Sequence, residues 1–261
     1  MDCKFLKVGD TYSFKPKTEG LEANIESGKV YNITIDRFTE SITFKELAPL
    51  TLPSKIYSTD RDNRFISKAL NTFSLAESGF TGILLSGMKG SGKTITAKRI
   101  AYESNLPIIN ISGYINPRHL KRVVEGLGDI SVCFLFDEFD KIADEYDCAG
   151  LLQILDGVDT KGKHLIVFTC NNEKLVNDCF MDRCSRIRYW RSYKELSSSM
   201  IMEVLKDRLN DKKKVKPLLD FITTNFATAS FDNVLSFVNE ANVYNTATFE
   251  ELFEDMNLTS K

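Results

Sequence analysis

Histidine and tryptophan are nearly absent from this chain of 261 residues, which has two of the first and one of the second. With His119 and His164 far apart, a histidine-based metal centre is not expected. The six cysteines (3, 133, 148, 170, 179 and 184) form no Cys-x-x-Cys pair, which argues against a zinc ribbon or a disulfide framework. Cys133 and Cys170 sit inside apolar runs, as reduced core residues do. Neither sign of charge dominates, with 34 basic against 36 acidic residues, so no overall field attracts nucleic acid or membrane. No apolar run approaches the ~20 residues of a membrane span, and no N-terminal signal segment is visible. A cytosolic location is expected. Internal repeats and low-complexity stretches are also missing.

What is present is a Gly-rich loop. Residues 87–94 read Gly87-Met88-Lys89-Gly90-Ser91-Gly92-Lys93-Thr94, a full G-x-x-x-x-G-K-[ST] pattern. The apolar run Gly82-Ile83-Leu84-Leu85-Ser86 precedes it and the helical pattern Ile95-Thr96-Ala97-Lys98-Arg99-Ile100 follows. In that setting the glycines turn backbone N–H groups toward phosphates and the helix start adds partial positive charge. Lys93 supplies a full charge for the β- and γ-phosphates, and Thr94 a hydroxyl for Mg²⁺. A loop that only capped a helix would need no Lys-Thr. A nucleoside triphosphate is the expected ligand.

Composition divides the chain into three parts: 1–52, 53–191 and 192–261. The first alternates in short runs (11–14, 30–35, 41–44), the last two forming a hairpin across residues 36–40. A helical pattern covers 60–77. From Gly82, strands at 82–86, 107–111, 131–136, 164–169 and 185–190 alternate with helices at 93–103, 117–126, 141–156 and 173–181, predicting a parallel sheet covered on both faces. After Ser192 the pattern is helical at 193–209, 215–226, 231–243 and 247–256. The run Lys212-Lys213-Lys214 reads as a solvated loop.

Forty-four positions after Lys93, the apolar run 132–136 ends in Asp137-Glu138. A buried parallel strand reads as a continuous apolar run, and ligands bind beyond the C-terminal ends of such strands. Asp137 is placed to hold Mg²⁺, and Glu138 to polarise an attacking water. The next strand ends in Cys170-Asn171-Asn172. One amide can reach the γ-phosphate or its water while the other caps the following helix; Asn171 is favoured for the first task, with Asn172 as the alternative. Arg183 and Arg186 lead into the last strand. Either could act on a neighbouring subunit's nucleotide, or be surface charge worth little.

Taken in order, the phosphate loop, Phe136-Asp137-Glu138, the stretch Leu151-Leu152-Gln153-Ile154-Leu155-Asp156-Gly157, Thr169-Cys170-Asn171 and the Arg183/Arg186 pair resemble the AAA+ ATPases, across about residues 53–245. The layout is most similar to small AAA-type ATPases predicted in bacteriophage genomes, where a β module ending in Leu-Pro-Ser-Lys-Ile-Tyr (here 52–57) precedes the ATPase core; the cytosol would then be a host's. The resemblance implies an α/β P-loop NTPase core with a parallel five-stranded sheet, a C-terminal helical lid and a small N-terminal β-rich module. It implies ATP between core and lid with adenine against Ile56 and Tyr57, Mg²⁺ at Thr94 and Asp137, and a homo-oligomeric ring, usually a hexamer. Two departures stand out. The lid segment Ser230-Phe231-Asp232-Asn233 carries no basic residue, and Met88-Lys89 occupies loop positions where relatives have small residues and proline.

Three kinds of work fit such a ring. A polypeptide-remodelling motor would place Tyr114, in the loop 112–117, in a central pore; the same tyrosine could instead pack at a helix start. A DNA-acting, clamp-loader-like ATPase would use Arg118, His119, Lys121 and Arg122 on phosphates. A nucleotide-gated scaffold would turn over slowly and recruit partners through its β module.

Overall fold

The computed structural model describes residues 5–14, 22–36, 38–142, 151, 155, 162–174, 180 and 187–261. Its strands are β1 (Phe5–Val8), β2 (Thr11–Phe14), β3 (Glu22–Ala23), β4 (Val30–Ile35), β5 (Ile42–Leu47), β6 (Gly79–Gly87), β7 (Ile108–Ile111), β8 (Cys133–Phe136), β9 (Lys163–Cys170) and β10 (Ile187–Tyr193). They form one sheet in the order β10-β6-β9-β8-β7-β4-β5-β2-β1-β3. The first five in that order are mutually parallel. Continuous burial across β6, β8 and β9 explains their unbroken apolar runs.

The expected five-stranded sheet is therefore half of a ten-stranded one. A five-stranded core would leave β7 as an edge with unpaired backbone groups. Here β4 pairs with it in parallel, Val30 opposite Ile108 and Asn32 opposite Asn110. Antiparallel β5, β2, β1 and β3 continue outward. The expected hairpin is β4–β5, with Ile35 opposite Ile42.

Helices α1 (Asp60–Leu75), α2 (Lys93–Glu103) and α3 (Pro117–Leu127) accompany the sheet. Helical spacing in α1 buries Ile66, Ala69 and Phe73, and Thr59 and Asp62 close a reciprocal capping box at its start. On one face of the sheet, α1 and α2 pack over Ile83, Leu85 and Val167. On the other, α3 joins Phe134, Phe136, Phe139, Phe168 and Phe180 in a cluster that also contains Phe5, Tyr12, Tyr31 and Phe44. N-terminal strands and phosphate-loop strands thus share one core.

α4 (Ser198–Arg208), α5 (Val215–Asn225), α6 (Phe231–Val243) and α7 (Phe249–Asp255) pack around Phe226 and Phe237. β10 runs to Tyr193, which pairs with Gly87, so the helix expected from 193 begins only at Ser198, capped by Ser197. Of the lysine run, Lys212 donates to the carbonyls of Lys206 (2.7 Å) and Leu209 (2.7 Å), closing the end of α4. Residue 141 lies in a short 3-10 turn (Phe139–Lys141), and most of the helices expected at 141–156 and 173–181 lies outside the described residues. Among the described residues no helix is long and apolar enough to cross a membrane.

His164, fully buried on β9 against Phe80 and Phe134, has neither ring nitrogen hydrogen-bonded among the described residues. Burial pushes its pKa down to about 4. Below its unfolded value near 6.5, the unfolded chain binds a proton that the fold refuses. Stability should hold above that pH and decline as pH falls toward 4, by up to about 3 kcal/mol. Denaturant titrations at pH 7.5 and 5 should show this loss, and His164→Phe should remove this part of it.

Candidate active site at the sheet's C-terminal edge

β6 delivers the chain to the glycine loop. At Gly87 (φ 127°) a Cβ would lie 2.0 Å from the carbonyl oxygen of Tyr193, so only glycine lets β10 close against the loop. Met88 N–H donates to that carbonyl at 3.3 Å. Gly90 and Gly92 also have positive φ, and α2 starts directly after Gly92. Lys93, buried at the first helical position, donates from Nζ to the Met88 carbonyl (2.6 Å) and Ser91 Oγ (3.5 Å). Burial lowers its pKa, while Asp140, Cys170, Asp137 and Glu138 oppose the shift. Lys89 points to solvent.

Asp137 Oδ1 accepts from Thr94 Oγ1 (2.9 Å) and Thr169 Oγ1 (2.6 Å). The Thr169 hydroxyl in turn accepts from Glu138 N–H at 2.7 Å. Three elements, α2, β8 and β9, are thereby joined at their site-facing ends. Glu138 adopts left-handed backbone geometry (φ 55°, ψ 46°), unusual for a residue with a side chain, and its carboxylate pairs with Lys141. Thr94 and Asp137 present hydroxyl and carboxylate oxygens side by side. That suits Mg²⁺, which takes one or two protein oxygens and completes its shell with water and phosphate.

Asn171 follows β9, its N–H donating to Asp140 Oδ1 at 2.9 Å. Asn172 Oδ1 accepts from Lys174 N–H at 3.2 Å, a cap on the turn beginning there. Arg183 and Arg186 lie outside the described residues; of the Leu-rich stretch only Leu151 and Leu155 are described, both buried.

A cavity of about 860 Å³ opens beside the loop, lined among others by Ile56, Tyr57, Gly92, Tyr193 and Phe231. Tyr57 stacks on Phe231 (centroids 6.0 Å, 25°), and its hydroxyl engages Asp207 and Arg208 of α4. The lid also touches the loop itself. Phe231 N–H donates to the Gly90 carbonyl at 2.9 Å, and a Cβ on Gly90 would meet Asp232 Cβ at 2.8 Å.

Tyr114 stands in the loop between β7 and α3 with 43% of its surface exposed. On α3, Arg122 pairs with Glu40 (3.1 Å) and Lys121 with Glu125 (3.7 Å). Thr169 and Asp140 carry no assigned task in the sequence pattern. A hydroxyl before the last residue of a buried apolar strand, and a carboxylate two positions after Glu138, were the available signals. Glu173, which accepts from Ser86 (2.6 Å) and Ser192 (2.9 Å), gave none.

Residues 83–192 match the family model described as "ATPase family associated with various cellular activities (AAA)". The match runs from within β6 to within β10 and includes Lys93, Asp137, Glu138 and Asn171. Protein CdcH of Halobacterium salinarum is 29% identical over 115 residues, covering 37% of this chain and 16% of that protein. The chain thus spans less than a fifth of that relative's length.

Thr169→Val keeps the strand's shape but removes both hydrogen bonds of the hydroxyl. Leaving Glu138 N–H and Asp137 Oδ1 short of a partner should cost about 1–3 kcal/mol, read as a lower unfolding midpoint in urea. Thr169→Ser should recover most of it.

Proposed function

We propose that this chain binds ATP and hydrolyses it to ADP and phosphate, as a P-loop ATPase of the AAA type. One observation carries the reading: the Thr94 hydroxyl meets the Asp137 carboxylate at 2.9 Å beside the buried ammonium of Lys93, with Glu138 next in the chain. That grouping unites a phosphate clamp, a hard-cation donor pair and a base. The AAA match over the same strands supports it.

In this mechanism Lys93 exchanges the Met88 carbonyl for phosphate oxygens, and the loop N–H groups surround the rest of the polyphosphate. Thr94 and Asp137 would hold Mg²⁺, which would supply positive charge for the polyphosphate. Glu138 turns from Lys141 and takes a hydrogen bond from the attacking water, whose oxygen bonds to the γ-phosphorus as the bond to the ADP oxygen breaks. Asn171 orients that water or the γ-phosphate. Adenine occupies the cavity lined by Ile56 and Tyr57.

The wider reading is a homo-oligomeric ring, divided as 1–52, 53–191 and 192–261, that remodels a polypeptide. In it Arg183, with Arg186 as the alternative, reaches a neighbour's γ-phosphate, which demands a head-to-tail interface. Tyr114 faces the substrate. A DNA-acting role draws less support, because two of the four residues it would use, Lys121 and Arg122, already face carboxylates.

Lys93→Ala should lose ATP binding in a fluorescent-nucleotide titration; retained affinity would remove the phosphate-clamp role. Glu138→Gln should bind ATP like the parent and turn it over at least ~10²-fold more slowly.

Arg183→Ala should bind ATP normally and hydrolyse it up to ~10³-fold more slowly. Mixed with Lys93→Ala subunits it should regain activity that neither has alone, since one supplies the loop and the other the arginine. Subunits that mix without recovery would refute the trans role.

A further inference from the structure

Asp140 lies in the short 3-10 turn (Phe139–Lys141) that follows Glu138. Phe139 beside it is fully buried, its ring set among Phe136 (centroids 5.9 Å), Phe168 (5.0 Å) and Phe180 (5.7 Å). Lys141 N–H donates to the Glu138 carbonyl (2.9 Å) and Ile142 N–H to that of Phe139 (3.1 Å). A buried ring and two backbone bonds thus fix the point from which the Asp140 side chain departs.

From there the carboxylate crosses to the end of β9. Asp140 Oδ1 accepts the N–H of Asn171 at 2.9 Å, directly after the strand's last residue, Cys170. The Cys170 thiol donates to the Asn172 carbonyl at 3.0 Å, and Glu173 anchors the far side of this turn to Ser86 and Ser192. Asn171 is therefore held by its backbone, while its side-chain amide has no hydrogen-bond partner among the described residues. Where that amide points follows from the backbone that Asp140 holds.

The charge of Asp140 has a second effect. It acts on the Lys93 ammonium more strongly than the charges of Asp137 and Glu138 do. Lys141, the other cation it influences, is committed to Glu138. A negative charge so placed opposes a triphosphate and offsets part of the attraction of Lys93.

We propose that Asp140 is a positioning residue with two separable effects: its oxygen sets Asn171 in place for hydrolysis, and its charge loosens the hold on the triphosphate. This rests on the P-loop ATPase reading given above. Asp140 acts on turnover through Asn171, not on phosphate or water directly.

Two substitutions in the full chain separate the effects, read by ATP turnover at saturation and by fluorescent-nucleotide titration. Asp140→Asn keeps an acceptor oxygen and loses the charge; it should bind ATP about fivefold more tightly, with kcat within about twofold of the parent. Asp140→Glu keeps the charge and carries its oxygens one methylene further; it should lower kcat about tenfold and leave affinity unchanged. Asn171→Ala alone should lower kcat at least as far. Adding Asp140→Glu to it should cost no further turnover, because the group being positioned is gone. Parent-like kcat in Asp140→Glu or Asn171→Ala, unchanged affinity in Asp140→Asn, or a further loss in the double variant overturns the inference. So does a loss of kcat in both Asp140 variants that follows a lowered melting temperature, which would make the residue merely structural. Each of these outcomes, with a parent that turns ATP over, leaves the ATPase reading standing. A parent that neither binds nor hydrolyses ATP removes that reading and the inference with it.

Discussion

The site depends on one shared acceptor. Asp137 Oδ1 receives hydroxyls from Thr94 on α2 and Thr169 on β9, so the phosphate-loop helix, β8 and β9 are tied at a single oxygen. The same threonine catches the N–H of Glu138 and helps hold that residue in its left-handed conformation. Backbone strain there is tolerable because the neighbouring hydrogen bonds over-determine it. Without that conformation, the side chain after Asp137 would leave β8 in a different direction. The carboxylate that holds the edge together is also the one suited to a divalent cation. Architecture and chemistry therefore load the same atom.

Among the described residues, the lid contacts this loop without a basic side chain. A backbone hydrogen bond from Phe231 to Gly90, close packing of Asp232 on the same glycine, and the Tyr57–Phe231 stack make the contact. Ser230 is committed to capping α6. Positive charge at the described loop is thus concentrated on Lys93, since Lys89 faces solvent. The described contacts between lid and loop thus run through the loop backbone rather than through an ion pair.

Much of this was legible in the order of residues. The loop, α2 and the strand ending in Asp137 announce themselves because apolar runs, glycine and a Lys-Thr pair make independent demands that coincide. Tyr57 beside the cavity came from resemblance alone, and periodicity had nothing to say of it. The junction of β4 with β7 was not legible. Strand pairing is a relation between distant segments, and neither run encodes its partner. Two-residue β3 is too short for alternation to register. The end of β10 is not visible in sequence because Ser192 and Tyr193 have no strand periodicity; pairing with Ser86 and Gly87 decides their conformation. Glu138's backbone geometry was hidden for a similar reason, since it follows from hydrogen bonds that only the assembled edge supplies.

The β4–β7 pairing also bears on how such a chain assembles as it is made. β4 and β5 emerge from a ribosome before any strand of the half that carries the glycine loop, and their antiparallel pairing is local and quick to form. The free side of β4 then offers an ordered template when β7 arrives. Parallel pairing between distant segments is ordinarily the slow part of building such a sheet, because loop closure must precede the contacts that reward it. A preformed edge lowers that barrier, since only one of the two partners remains to be ordered. On this view the N-terminal strands act as a built-in folding scaffold for the half of the sheet that carries the site.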